Sequence, residues 1–413
     1  MPEDQTTEIA RDTVVAASVG EQPAALPAVV PELDLRQIKE YARVKRWCHL
    51  SGIALSLAYW IAWVSLAAGF VTWLDNGIDN RWIGLFVAAL VMVGGHIVVG
   101  LPLDYYSGFV VERRFDLSNQ TPWSWLVFQV KTWLVGGILA VILLGGLYGA
   151  LWYGGAAWGV YVWIGMMVLS IVLAKLFPLV ILPLFYPAKP LDSPTLVERL
   201  TAMARGVGMT VTGVYNLALS KDTKKANAML AGLGSTRRVY LSDTLVGAFG
   251  EDQIAVVFAH ELGHHIRRHI LKMIALSAVV SSILVALIWW RLNPFTGSGV
   301  AWVGAVAAFA QVMLIATLYP LVIGPATNAV SRRFERQADR LALDLTNDPP
   351  AYRSAFDLLT RMNLADPDPP RWEEILFDDH PAMNKRIALA DEWEQSRSLR
   401  GPVGTCEHTS IPQ

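Results

Sequence analysis

Residues 132–174 read TWLVGGILAVILLGGLYGALWYGGAAWGVYVWIGMMVLSIVLA, and no charged side chain interrupts the chain between Lys131 and Lys175. A helix rises about 1.5 Å per residue, so about 20 residues cross the roughly 30 Å of bilayer hydrocarbon. The run is too long for one crossing, and Gly154-Gly155 divides it into two, about 132–153 and 157–182. Working outward, uncharged stretches at 52–74 and 82–103, the second containing His96, supply two earlier spans. Stretches 273–290 and 300–326 supply two later ones, joined by the turn-forming Asn293-Pro294-Phe295-Thr296-Gly297-Ser298-Gly299. The expected total is six transmembrane helices.

Composition agrees. Of 413 residues, 54% are hydrophobic and 17% charged, which excludes an ordinary soluble enzyme, a disordered chain and a coiled coil. Lys and Arg number 34 against 35 Asp and Glu, so the electrostatic footprint of a nucleic-acid binder is missing, and no nucleic-acid partner is expected. Cys48 and Cys406 cannot form a disulfide framework and lie in no metal-binding spacing.

The loops set an expected orientation. The turns at 75–81, 154–156 and 291–299 carry only Arg81 and Arg291 as basic residues, whereas Arg36, Lys39, Arg43, Lys45 and Arg46 precede the first span. The positive-inside rule then puts both termini in the cytoplasm, with 104–131, 187–270 and 327–413 on the same side. The Ala-, Pro- and Glu-rich start is read as disordered, giving three units: a disordered and basic cytoplasmic tail over 1–45, a four-span membrane unit over 46–190, and a unit over 191–413 that includes the last two spans. Between its spans this last unit reads as α+β. A helix opened by Ser193-Pro194 ends near Gly206, β-like segments cover 210–219 and 238–242, and helices follow at about 252–270, 327–346, 351–363 and 384–398. Inside the membrane, His96, Asp104 and Lys175 are default functional candidates, although Lys175 can equally snorkel to the interface.

The chemistry is concentrated in residues 256–265, VVFAHELGHH. On a helix, His260 and His264 share a face, so two imidazoles can bind one Zn²⁺ while Glu261 faces the water that the metal activates. The bland alternative is a pair of helix-surface histidines. His265 and His269 repeat the four-residue spacing, but Ile266 and Ile270 follow them where a carboxylate is needed, so they are expected on the surface or behind the ligands. A metzincin extension fails at Arg267 and Ile270. A third ligand must come from elsewhere. Glu335, in Ser331-Arg332-Arg333-Phe334-Glu335-Arg336-Gln337-Ala338-Asp339, is the best candidate, with Asp339 one turn on, against the reading of this charge run as a solvated helix face. His380 alone reads as a structural histidine before Pro381.

From about 80 to 390 the sequence resembles the integral-membrane zinc metalloproteases of the type I CaaX prenyl protease family. The resemblance is carried by residues 101–112 (LPLDYYSGFVVE), 115–121 (FDLSNQT), 181–186 (ILPLFY) with Pro190-Leu191, Asn227-Ala228, HELGH at 260–264, ExxAD at 335–339, and His380-Pro381 with Arg386. It implies a mainly α, polytopic membrane protein: a helical barrel enclosing an intramembrane chamber, with a small cytoplasmic α+β metalloprotease domain holding one zinc at its end. It assigns His260, His264 and Glu335 as ligands, Glu261 as general base, Asp339 as partner of a ligand or proton donor, and His380 as a transition-state contact. Asn227 and Ala228, with Arg386, fall to substrate binding. Eukaryotic members have seven spans, one more than this chain. The implied partners are the bilayer and a peptide or protein substrate, prenylated or not, and the oligomeric state is left open. The competing readings are a membrane quality-control protease of the heat-shock type and a catalytically silent membrane scaffold or transporter.

Overall fold

The computed structural model of the protein describes residues 34–232, 237–297, 299 and 301–399. The expected disorder before residue 34, and Cys406, lie outside the described residues. Among the described residues, six helical segments are long and apolar enough to cross a membrane: Leu35–Asp75, Arg81–Arg114, Pro122–Tyr153, Gly155–Phe185, His269–Phe295 and Trp302–Thr346, with mean hydropathy from 1.7 to 2.4. All six expected spans are present, and most extend well past their apolar runs.

The reason lies in the capping residues. Helix α1 (Leu35–Asp75) begins where Asp34 accepts hydrogen bonds from the N–H groups of Arg36 and Gln37. Residues 35–45, counted with the disordered tail from sequence, are therefore the first turns of the first span. Asn80 opens α2 (Arg81–Tyr105) in the same way. A single π-helical turn, Tyr106–Val110, joins α2 to α3 (Val111–Arg114). Thr121 caps α4 (Pro122–Tyr153), and the Gly154-Gly155 break carries only a 3-10 turn before α5 (Trp158–Leu176), which passes through the π turn Phe177–Ile181 into α6 (Leu182–Phe185).

The sheet that follows has the order β1-β2-β4-β3, built from β1 (Ala188–Pro190), β2 (Val214–Leu217), β3 (Ala228–Ala231) and β4 (Arg238–Ser242). β2 and β4 run parallel and the other pairs antiparallel, so β3 lies at an edge, with Ala228 opposite Leu241 and Leu230 opposite Val239. The expected domain boundary at 190 falls at the end of β1, which already belongs to this sheet.

Around the sheet lie α7 (Pro194–Gly206), opened by Ser193 as expected, α8 (Asp243–Ala248) and α9 (Glu251–Ile266). The helix expected to continue to 270 instead ends at Ile266. Arg268 adopts a left-handed conformation (φ 54°), uncommon outside glycine, and α10 (His269–Leu292) starts anew after it. After α11 (Trp302–Ala307), α12 (Phe309–Thr346) runs unbroken from the last span through Glu335 and Asp339, where the sequence suggested a span and then a separate helix. α13 (Pro349–Asn363), α14 (Arg371–Leu376) and α15 (Met383–Ser398) complete the chain.

Two large cores result. One joins the spans through Trp60, Leu85, Tyr148, Trp152, Trp158 and Trp302, where the Tyr148 hydroxyl also donates to the Ala305 carbonyl at 2.9 Å. The other, through Leu200, Leu241, Phe258, Leu343 and Tyr352, packs α9 between the sheet and α12–α13. Of the intramembrane candidates, His96 meets the Ser56 hydroxyl at 3.0 Å and stacks on Trp60, while Asp104 and Lys175 are exposed.

Candidate metal centre

Helix α9 is buried from Ile254 to His260, and its charges match its ends: Glu251 and Asp252 in the first turn, His264 and His265 in the last. It can carry ligands to a partner helix because of Gly263. A Cβ there would lie 2.9 Å from the Ala338 Cα, so only glycine lets the backbones of α9 and α12 come this close. At that crossing α12 delivers Glu335 and Asp339, with residue exposures of 4% and 0%, to the histidine face.

Glu335 Oε2 stands 3.3 Å from His260 Nε2, and Oε1 stands 3.2 Å from His264 Nε2. One ligand atom from each of the three residues lies within 4.8 Å of the others. Glu335 Oε2 is buried and accepts no hydrogen bond. An orphaned carboxylate oxygen aimed at two imidazole nitrogens is what a cation site requires, and two histidines with one carboxylate are a donor set suited to zinc.

Residues 190–394 match the family model described as peptidase family M48, and residues 13–187 match the one described as CAAX prenyl protease N-terminal, five membrane helices. The chain belongs to the M48 peptidase family. It is a multi-pass membrane metalloprotease of the CaaX prenyl protease type. Among the described residues, four spans fall within 13–187, against the five in that description. The chain is 24% identical to the uncharacterized metalloprotease YhfN of Bacillus subtilis over 93% of its own length and 92% of the relative's. It is 26% identical to CAAX prenyl protease 1 of Saccharomyces cerevisiae over 71% and 69% of the two chains. The fold is similar to the crystal structure of S. mikatae Ste24p, with a TM-score of 0.69 at 22% identity, covering 89% of this chain and 92% of that one.

In this M48 peptidase both candidate histidine ligands are held from behind. His260 Nδ1 lies 2.8 Å from Asp339 Oδ1, which fixes the tautomer that turns Nε2 toward Glu335. Burial disfavours a charged His260, but Asp339 and Glu335 outweigh it and raise the pKa to about 9. A metal ion competes with that proton, so binding weakens in acid. Arg386 is 6% exposed and grips Asp339 with two bonds, Nε at 2.9 Å and Nη2 at 2.6 Å, while stacking over Phe356. Arg386, which the resemblance puts in substrate binding, lines the cleft over the cluster and has its guanidinium engaged with Asp339 behind the ligands. Asp339 is entirely buried, with its carboxylate between His260 Nδ1 and the Arg386 guanidinium.

His265 and His269, expected on the surface or behind the ligands, make two contacts whose partners the sequence did not name. His269, 2% exposed, stacks on Phe334 at 4.4 Å and sets Nδ1 3.2 Å from His264 Nδ1, with its Nε2 3.0 Å from Gln337 Oε1. The left-handed Arg268 folds His269 back beneath His264, out of reach of any i, i+4 reading. His265 Nε2 lies 2.9 Å from the Leu230 carbonyl, tying α9 to the edge strand.

A cleft of about 730 Å³ opens over the cluster, lined by Asn227, Ala228, His260, Glu261 and His380, with Lys45 and Arg46 of α1 at its rim. Glu261 Oε2 accepts the Leu230 N–H at 3.2 Å. The side chain of His380 is half-exposed, with Nε2 3.5 Å from Glu335 Oε2, and its hydrogen bond to Asp379 holds it above the ordinary imidazole value.

Replacing Asp339 by Asn keeps the shape but removes the charge facing His260 and Arg386. Competitive chelator titration should find metal affinity about 10- to 100-fold lower.

Proposed function

We propose that the protein is a zinc endopeptidase that cuts membrane-associated or C-terminal, CaaX-like peptide substrates, with Glu261 as general base. The observation that carries this reading is the position of Glu261, on the cleft between the His260–His264–Glu335 cluster and the free edge of β3. A zinc ion held by these three residues would polarise the scissile carbonyl and acidify the attacking water.

The chain's own groups do the rest. Glu261 takes a proton from the attacking water and returns it to the leaving amine. His380, oriented by its hydrogen bond to Asp379, donates to the developing oxyanion, a contact typically worth about 2.7 to 4 kcal/mol. The backbone of Asn227 and Ala228 binds the substrate as an added strand, which reads the main chain and tolerates varied side chains. Asp339, with Arg386 behind it, keeps His260 in register.

The CaaX-like substrate class is supported by the resemblance of the N-terminal half and by the similarity to CAAX prenyl protease 1 of Saccharomyces cerevisiae. The basic start of α1 supports a cytoplasmic position for both termini and the metal site.

The decisive experiment incubates farnesylated and unmodified forms of one CaaX peptide with the purified protein and with Glu261→Gln, and identifies products by mass. Cleavage should fall by at least about 10²-fold in the variant while zinc stays at one per chain. Equal turnover would end the general-base assignment, and identical cleavage of both peptides would remove the prenyl-specific part. Orientation has its own test: a membrane-impermeant thiol reagent should label Gly297→Cys from the outer side only, and labelling from the cytoplasm would reverse the topology.

A further inference from the structure

The edge strand reads substrate only if it is held at a fixed distance from the metal cluster, and several of the residues that hold its entry come from the membrane half of the chain. In an antiparallel pair the polar groups of alternate residues face the partner strand and the free side. Leu230 meets Glu261 and His265 on the free side, so Ala228, two residues away, presents its N–H and C=O there as well. The chain entering this strand is gripped at every step. Leu117 and Asn119 bond the backbone of Lys224 and Asp222 at 2.9 and 3.0 Å. The Asn363 side chain bonds both the N–H and the C=O of Ala226 at 2.9 and 3.2 Å.

Lys225 lies between those grips, and a charge holds it. Its Nζ is 2.9 Å from Glu112 Oε2 and 2.9 Å from the Tyr41 hydroxyl. Glu112 also receives Lys45 Nζ at 3.1 Å and the Tyr41 hydroxyl at 2.7 Å, and its side chain is only 13% exposed. One carboxylate thus separates two ammonium groups that would otherwise repel at short range.

We propose that Glu112, on the turn of helix after the second span, is a positioning residue for substrate: by holding Lys225 it fixes where β3 presents Ala228 to the peptide. The inference rests on the reading of β3 as the substrate strand. Neutralising Glu112 leaves Lys45 and Lys225 facing each other without a counter-charge, and the entry to β3 moves while the metal ligands, on α9 and α12, stay in place.

The test uses the full-length protein in detergent and a quenched fluorescent peptide, together with a series N-methylated one residue at a time around the scissile bond. Wild type should lose affinity for one N-methylated peptide, the one lacking the bond to Ala228. Glu112→Gln should raise KM for the unmodified peptide about five- to tenfold, the scale of one misplaced hydrogen bond, with kcat within about twofold and metal content unchanged. It should add nothing to the KM of that N-methylated peptide, and Glu112→Asp should recover most of the affinity. An unchanged KM, or an equal rise for both peptides, overturns the positioning role. If Glu112→Gln does not fold, Lys225→Met, which leaves the Lys45–Glu112 pair intact, reads the same difference. Wild-type indifference to every N-methyl group would instead defeat the substrate-strand reading itself.

Discussion

Everything at the metal centre depends on the close crossing of α9 and α12 at Gly263. Without a Cβ there, the α12 backbone at Ala338 lies against α9, so Glu335, about one turn before the contact, and Asp339, the residue after it, face the histidines. Glu335 reaches both imidazoles on one side, and Asp339 reaches the back of His260 on the other. A larger residue at 263 would separate the helices by more than the few tenths of an ångström that a three-donor cluster tolerates.

That arrangement buries several charges, which is costly unless they are paired. Asp339 is matched by Arg386 on one side and His260 on the other, and Arg386 is shielded by the face of Phe356. Glu335 has His380 and Arg386 at 3.5 and 3.6 Å from Oε2, but that oxygen accepts no hydrogen bond. A cation held by Glu335 and the two histidines would supply the direct partner it lacks.

The spans were legible because charge is absent from them, and absence over about twenty residues has one physical explanation. The HExxH spacing and the Glu335 turn were legible because a helix repeats on a fixed period. What the sequence hid has causes as well. Apolar pattern marks where hydrocarbon ends but not where a helix ends, so the polar beginning of α1 and the unbroken length of α12 were read as separate pieces. β3 has four residues, too few for alternation to register. His269 was unreadable as a partner of His264 because the left-handed Arg268 resets the helical phase, and the Asp339–Arg386 pair joins residues on two helices that no local pattern connects.

The breaks and continuities of these helices also decide how the bilayer communicates with the chemistry. Histidine-bearing α9 parts from the next span at the left-handed Arg268, yet His269, the first residue of that span, lies against His264. Carboxylate-bearing α12 runs from the last span to Glu335 as one helix, with Pro320 and Pro325 inside it. Both helices of the final hairpin thus end on the cluster, α12 through Glu335 itself and α10 through the neighbour of His264, so two of the three candidate ligands are tied to segments that lie in lipid.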